Sequence, residues 1–174
     1  LVDDQRRSQS DNFARTATLI ADLPKFKAVV DIGDRPTLTP IAEDYLAKAG
    51  ADLLVVTGRG GERLAMVGAS DALAVNQPNT PPAVPDMKAT ATFWAHPAGV
   101  LEVVSVPITL DTELLGILSI GYLLDAHRAS QFKAVTGADI AFAIDGTVRA
   151  STLGPGSMAT LSPLLAGGAM EPGP

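Results

Sequence analysis

The chain has 174 residues, of which 47% are hydrophobic and only 18% charged, so it can bury a full core and is not a wholly disordered polymer. Its 13 basic and 19 acidic side chains give a net charge of −6, and no basic stripe is present to neutralise phosphates, which argues against a nucleic-acid partner. The absence of cysteine excludes disulfides, thiolate metal sites and a cysteine nucleophile.

The opening residues Leu1-Val2-Asp3-Asp4-Gln5-Arg6-Arg7 are polar from the third position and do not form a secretory signal. The chain lacks an initiator methionine and starts inside a helical pattern, which points to a soluble part of a longer protein. Phe13, Ala17, Ile20 and Leu23 recur at three- and four-residue steps, one apolar stripe on a long helix whose charged residues Arg6, Arg7, Asp11 and Arg15 form a solvated face. Pro24 should end or kink that helix. A second helix is expected over Leu38 to Ala49, with Thr37 or Thr39 as N-cap, Pro40 early in it and Gly50 as its stop. Its face would be Ile41, Ala42, Tyr45, Leu46 and Ala49.

Strand patterns begin after Gly50. Residues 51–57 and 62–68 read as a hairpin around Gly58-Arg59-Gly60-Gly61. That glycine-rich turn superficially suggests a phosphate cradle, but it joins two strands and presents no helix N-terminus to an anion. Residues 69–90 look irregular, with one short helical turn at Ser70 to Leu73. Ala91 to His96, Val100 to Leu110 and Leu114 to Leu124 then form an antiparallel meander. The last of these is too short to span a bilayer as a helix, which takes ~20 residues. A helix from Asp125 to Val135 is capped by Asp125 and stopped by Gly137. Ala138 to Ile144 and Thr147 to Ser151 make a second hairpin on an Asp145-Gly146 turn. Antiparallel strands with helices gathered to one side make the chain α+β.

Four segments in this order carry a family resemblance. They are Leu-Ile-Ala-Asp-Leu-Pro-Lys-Phe-Lys-Ala-Val-Val (19–30), the hairpin of 51–65, Val-Pro-Ile-Thr-Leu-Asp-Thr-Glu-Leu-Leu-Gly-Ile-Leu-Ser-Ile-Gly-Tyr (106–122), and Thr-Gly-Ala-Asp-Ile-Ala-Phe-Ala-Ile-Asp-Gly-Thr-Val-Arg-Ala-Ser-Thr-Leu (136–153). The sequence resembles extracytoplasmic sensory domains of the Cache type, which are PAS-like, and is most similar to the double-Cache sensors of membrane-bound two-component histidine kinases. The resemblance implies a long N-terminal helix packed on a PAS-like antiparallel five-stranded sheet, followed by a helix and a further β-hairpin. Residues 1–137 would be the distal sensor domain. Residues 138–165 would be an extra hairpin opening a second, membrane-proximal domain, and 166–174 a disordered tail. It also implies a periplasmic location on an inner-membrane protein, whose membrane segments and output module lie outside this chain. A small-molecule ligand or a periplasmic binding protein would be the partner, with homodimerisation through the N-terminal helix.

No catalytic motif is present: there is no Gly-x-Ser-x-Gly, no His-Glu-x-x-His and no glycine-rich loop ending in Lys-Ser or Lys-Thr. No cofactor or metal is implied, since the two histidines, His96 and a surface His127, supply too few convergent ligands. A PAS-like sheet presents one concave face to its ligand, and an aromatic with a few polar groups suits such a face. Trp94 and His96 share a strand face, and Ser105, Ser119 and Tyr122 interrupt apolar strands, so these five are the candidate ligand-binding residues. The competing reading makes Trp94 and Tyr122 core aromatics with satisfied polar tips. Arg59, Arg63 and Arg149 fall at turns or strand ends. Gly116 and Gly121 mark either close ligand approach or tight packing of a helix over the sheet. Two other functional classes stand beside the sensor: a dimerisation domain that binds no ligand, and a small hydrolase or isomerase using Glu102 with His96.

Overall fold

Pro24 does more than end a helix. The computed structural model describes residues 2–68 and 87–157, with side chains from residue 11 onward. Within it α1 (Val2–Ala21) stops short of Pro24, and α2 (Pro24–Ile32) starts on it. A proline there has no unsatisfied N–H to lose and a φ already suited to the first turn. Gly33 ends α2 at φ 71°, its N–H donating to the carbonyls of Val29 and Val30. α3 (Arg35–Ala49) then begins one turn earlier than the sequence suggests. Asp34 is its N-cap and Pro36 occupies the first turn, so Pro40 lies inside the helix. Thr39 is consequently no cap: its hydroxyl donates to the Arg35 carbonyl at 3.0 Å, four residues back. Gly50, at φ 58°, terminates α3 as expected.

The strands are β1 (Leu53–Gly58), β2 (Arg63–Gly68), β3 (Thr90–His96), β4 (Gly99–Leu110) and β5 (Glu113–Asp125). They form one five-stranded antiparallel sheet in the order β2-β1-β5-β4-β3, so the first hairpin is attached to the meander through β1 and β5. That pairing runs from Leu53 opposite Gly121 to Gly58 opposite Gly116 without a register break. The hairpin itself slips by one residue at Val56/Thr57 beside its glycine-rich turn, where Gly58 N–H donates to the Glu62 carbonyl. Asp111 takes a left-handed conformation (φ 53°) in the tight β4–β5 connection, a role that suits aspartate.

After β5 come α4 (Ala126–Thr136) and a two-stranded hairpin, β6 (Ala141–Ile144) with β7 (Thr147–Ser151). The Asp125 carboxylate accepts the Arg128 N–H at 2.8 Å and caps α4, and Gly137 at φ 70° closes it. Asp145 (φ 50°) and Gly146 (φ 72°) are both left-handed, as the turn joining these strands requires.

The chain divides into two compact units, residues 1–92 with 102–122, and residues 93–101 with 123–174. In the first unit α1–α3 cover one face of the sheet. Ala17, Ile20, Phe26, Val30, Leu38 and Ala42 meet Leu54, Val56, Val104, Val106, Leu118 and Ile120 in a single core. The α1 stripe is therefore spent on its own sheet. Phe26 is fully buried and sets its ring edge-on to Tyr45 at 5.8 Å. In the second unit Phe132 of α4 meets Phe142 of β6, again edge-on. The turn expected at Ser70 to Leu73, residues 158–165 of the expected second domain and the 166–174 tail lie outside the described residues.

Candidate functional site

Alternation along a strand sends successive side chains to opposite faces, so the face away from α1–α3 carries Val55 of β1, Val103 and Ser105 of β4, and Ser119 of β5. All four are buried, and Ser105 and Ser119 are only 1% and 3% exposed. The two serine hydroxyls are 2.7 Å apart, the usual length of an O–H···O bond, and either can donate. Two hydroxyls offer two hydrogens and four lone pairs, and their mutual bond consumes one of each. One O–H and several lone pairs remain for a further polar group. This pair is the centre of the candidate site.

The structure places Tyr122 elsewhere. It lies on the helix face of β5, 2% exposed, in the core with α1. Its ring stacks on Phe13 with centroids 3.5 Å apart and planes 9° from parallel, and its hydroxyl donates to the Ala49 carbonyl at 3.5 Å. Tyr122 and the serine pair thus lie on opposite faces of the sheet. Gly116 also resolves toward packing: a Cβ there would come within 2.2 Å of the Thr57 carbonyl oxygen and 3.2 Å of Val30 on α2.

Trp94 and His96 belong to the second unit, on one face of β3. Trp94 is half-buried; His96 is buried, and its Nδ1 accepts the Ala98 N–H at 3.1 Å in the turn before β4. An accepting Nδ1 leaves Nε2 to carry the hydrogen of the neutral ring.

Charged side chains missed by pattern reading tie the turns together. Arg59 bridges Asp31, at the end of α2, and Glu113, at the start of β5, which explains an arginine in the glycine-rich turn without any anion. In the second unit Asp139 receives Lys133 at 2.6 Å and the Thr152 hydroxyl at 3.0 Å. The Lys133 hydrogen bond, then that of Thr152, holds the Asp139 carboxyl below its ordinary value. Among the described residues no three His, Asp or Glu side chains converge as a metal site, and no helix is long and apolar enough to cross a membrane.

No protein-family model matches the sequence, and no curated protein is significantly similar to it. Solved structures are similar. The sensor domain of the V. cholerae histidine kinase DctB superposes with a TM-score of 0.56 at 12% identity, covering 91% of this chain and 70% of that one. The ligand-binding domain of the Campylobacter jejuni chemoreceptor Tlp3 in complex with L-norvaline gives 0.54 at 15% identity, over 90% of this chain. The same domain in complex with L-valine gives 0.51 at 16%, over 87%. The chain has the fold of a Cache sensor domain. It spans 65% of the length of the Tlp3 domain. This Cache, PAS-like fold is the α+β arrangement that the resemblance in the sequence implies.

Proposed function

We propose that this Cache-like chain is the extracytoplasmic, periplasmic signal-sensing part of a transmembrane receptor, of the sensor histidine kinase kind. It binds a small molecule or a periplasmic binding protein, carries out no catalysis itself, and passes the signal through its helices to segments beyond this chain. The observation that carries the reading is the buried Ser105–Ser119 pair on the sheet face opposite α1–α3. Such a pair, set among valines, has the composition of a small-molecule subsite: apolar walls with a few polar groups that fix orientation. Amino acids with small apolar side chains are the first class to test, because Tlp3 is solved with L-valine and L-norvaline. The hairpin β6–β7, within residues 138–165, is read as the opening of a membrane-proximal second domain.

A thermal-shift screen against amino acids, small carboxylates and aromatics tests the proposal. A ligand at 100 times its dissociation constant stabilises by about 2.7 kcal/mol, a rise of roughly 5–10 °C for a chain of this size. Ser105→Ala and Ser119→Ala should abolish the shift.

A second reading is favoured by the same pair: its hydroxyls are already bonded to each other and buried, as they would be in a dimerisation domain that binds no ligand. In that case the dimer forms through the outer face of α1, where Leu19 is 71% exposed. A flat screen together with a sedimenting dimer broken by Leu19→Glu would establish that alternative.

A further inference from the structure

We propose that Tyr122 couples the serine-bearing face of the sheet to α1, so that a displacement of β5 at Ser119 is read as a slide of α1; this rests on the sensor reading above. β5 carries both groups, three residues apart and on opposite faces. The strand between them is stiff. Leu53, Leu54 and Val55 of β1 hold Gly121, Ile120 and Ser119 in continuous register, and the Asp52 N–H adds a bond to the Gly121 carbonyl at 2.9 Å. A push at Ser119 therefore moves Tyr122 with it.

The contact at the far end is suited to movement. Phe13 and Tyr122 lie face to face, nearly parallel at 3.5 Å. A direct sandwich is not the preferred aromatic geometry, because offset rings relieve the repulsion between π-faces. Sliding Phe13 across Tyr122 toward an offset keeps the rings in contact and loses little energy, so this contact tolerates a small shift of the Phe13 end of α1. The edge-on Phe26–Tyr45 pair, at 82°, has no such freedom and fixes α2 against α3. The Tyr122 hydroxyl on the Ala49 carbonyl adds a second readout, at the last residue of α3. Tyr122 is a positioning residue here, since it lies on the opposite face from the serine hydroxyls.

Amide hydrogen exchange on the whole chain tests this without a ligand. Ser119→Val both breaks the serine pair and adds bulk on that face. It should raise exchange in α1 (residues 13–21) about fivefold relative to α4. In a Tyr122→Leu background the same substitution should add nothing, the non-additivity expected of coupled residues. Unchanged α1 exchange in Ser119→Val, or additive effects in the two backgrounds, overturns the proposal. If Tyr122→Leu does not fold, Phe13→Leu takes its place with the same expectation. Titration with L-norvaline separates the two readings. Binding that leaves α1 exchange unmoved refutes the coupling. Coupling without any binding by the amino acids refutes the amino-acid ligand class alone and leaves the coupling standing.

Discussion

Breaking the Ser105–Ser119 bond from one side should cost more than removing it from both. Ser119→Ala forfeits one buried hydrogen bond, about 1 kcal/mol net, and leaves the Ser105 hydroxyl at 1% exposure without its partner, about 1–2 kcal/mol more. The sum is about 2–3 kcal/mol, which for a chain of this length lowers Tm by roughly 5–10 °C. Ser105→Ala should behave alike. The double variant strands no hydroxyl and should lose only about 1 kcal/mol, so it is more stable than either single one. Urea denaturation of the four proteins measures this directly, with equal m-values confirming that the unfolding reaction is unchanged. Single substitutions costing under about 0.5 kcal/mol each and adding in the double variant would refute the reasoning. They would show hydroxyls solvated by water rather than dependent on each other.

Gly116→Ala should destabilise by about 2 kcal/mol or more, because the new methyl meets the Thr57 carbonyl oxygen at 2.2 Å and β1 must separate from β5 to admit it; a neutral effect in urea denaturation would contradict the close strand packing. Phe26→Ala empties a fully buried ring site and should cost about 3–5 kcal/mol, whereas Phe26→Leu should cost clearly less, and calorimetry distinguishes the two. Asp139 tests the charge network. Its folded carboxyl titrates below the unfolded value, so its ion pair stabilises the fold above the unfolded value and is lost as pH falls through the folded one. Carbon-detected NMR titration should show the Asp139 midpoint rising in Lys133→Ala; an unmoved midpoint would contradict the Lys133 assignment.

Much of the fold was legible because local chemistry demanded it. The α1 stripe of Phe13, Ala17 and Ile20 repeats at the helical period and buries accordingly. Asp145 and Gly146 can occupy the left-handed conformations that the turn needs, and the apolar runs of residues 100–110 and 114–124, on either side of Asp111-Thr112-Glu113, read as strands. The start of α3 was misplaced because Pro40 resembled a first-turn proline, while Pro36 holds that position and the helix tolerates Pro40 inside. The site was legible only in part. Ser105 and Ser119 stood out as polar residues in apolar strands, and the meander that pairs β4 with β5 was legible, but their bond depends on the register of that pair, which no local pattern records. Tyr122 stood out equally, yet one residue of strand parity sends it to the other face. Arg59 was read only as a turn residue, since its partners Asp31 and Glu113 are far from it in sequence and become neighbours only when three turns converge.

The central claim is that a small molecule binds the sheet face opposite α1–α3. Chemical-shift mapping of the isotopically labelled chain, titrated with L-norvaline, L-valine and a panel of small carboxylates, tests it most directly. The account predicts shifts centred on Val103, Ser105 and Ser119, with a smaller response at Phe13 through Tyr122. No shifts with any compound, or shifts confined to the outer surfaces of α1–α3, would contradict it.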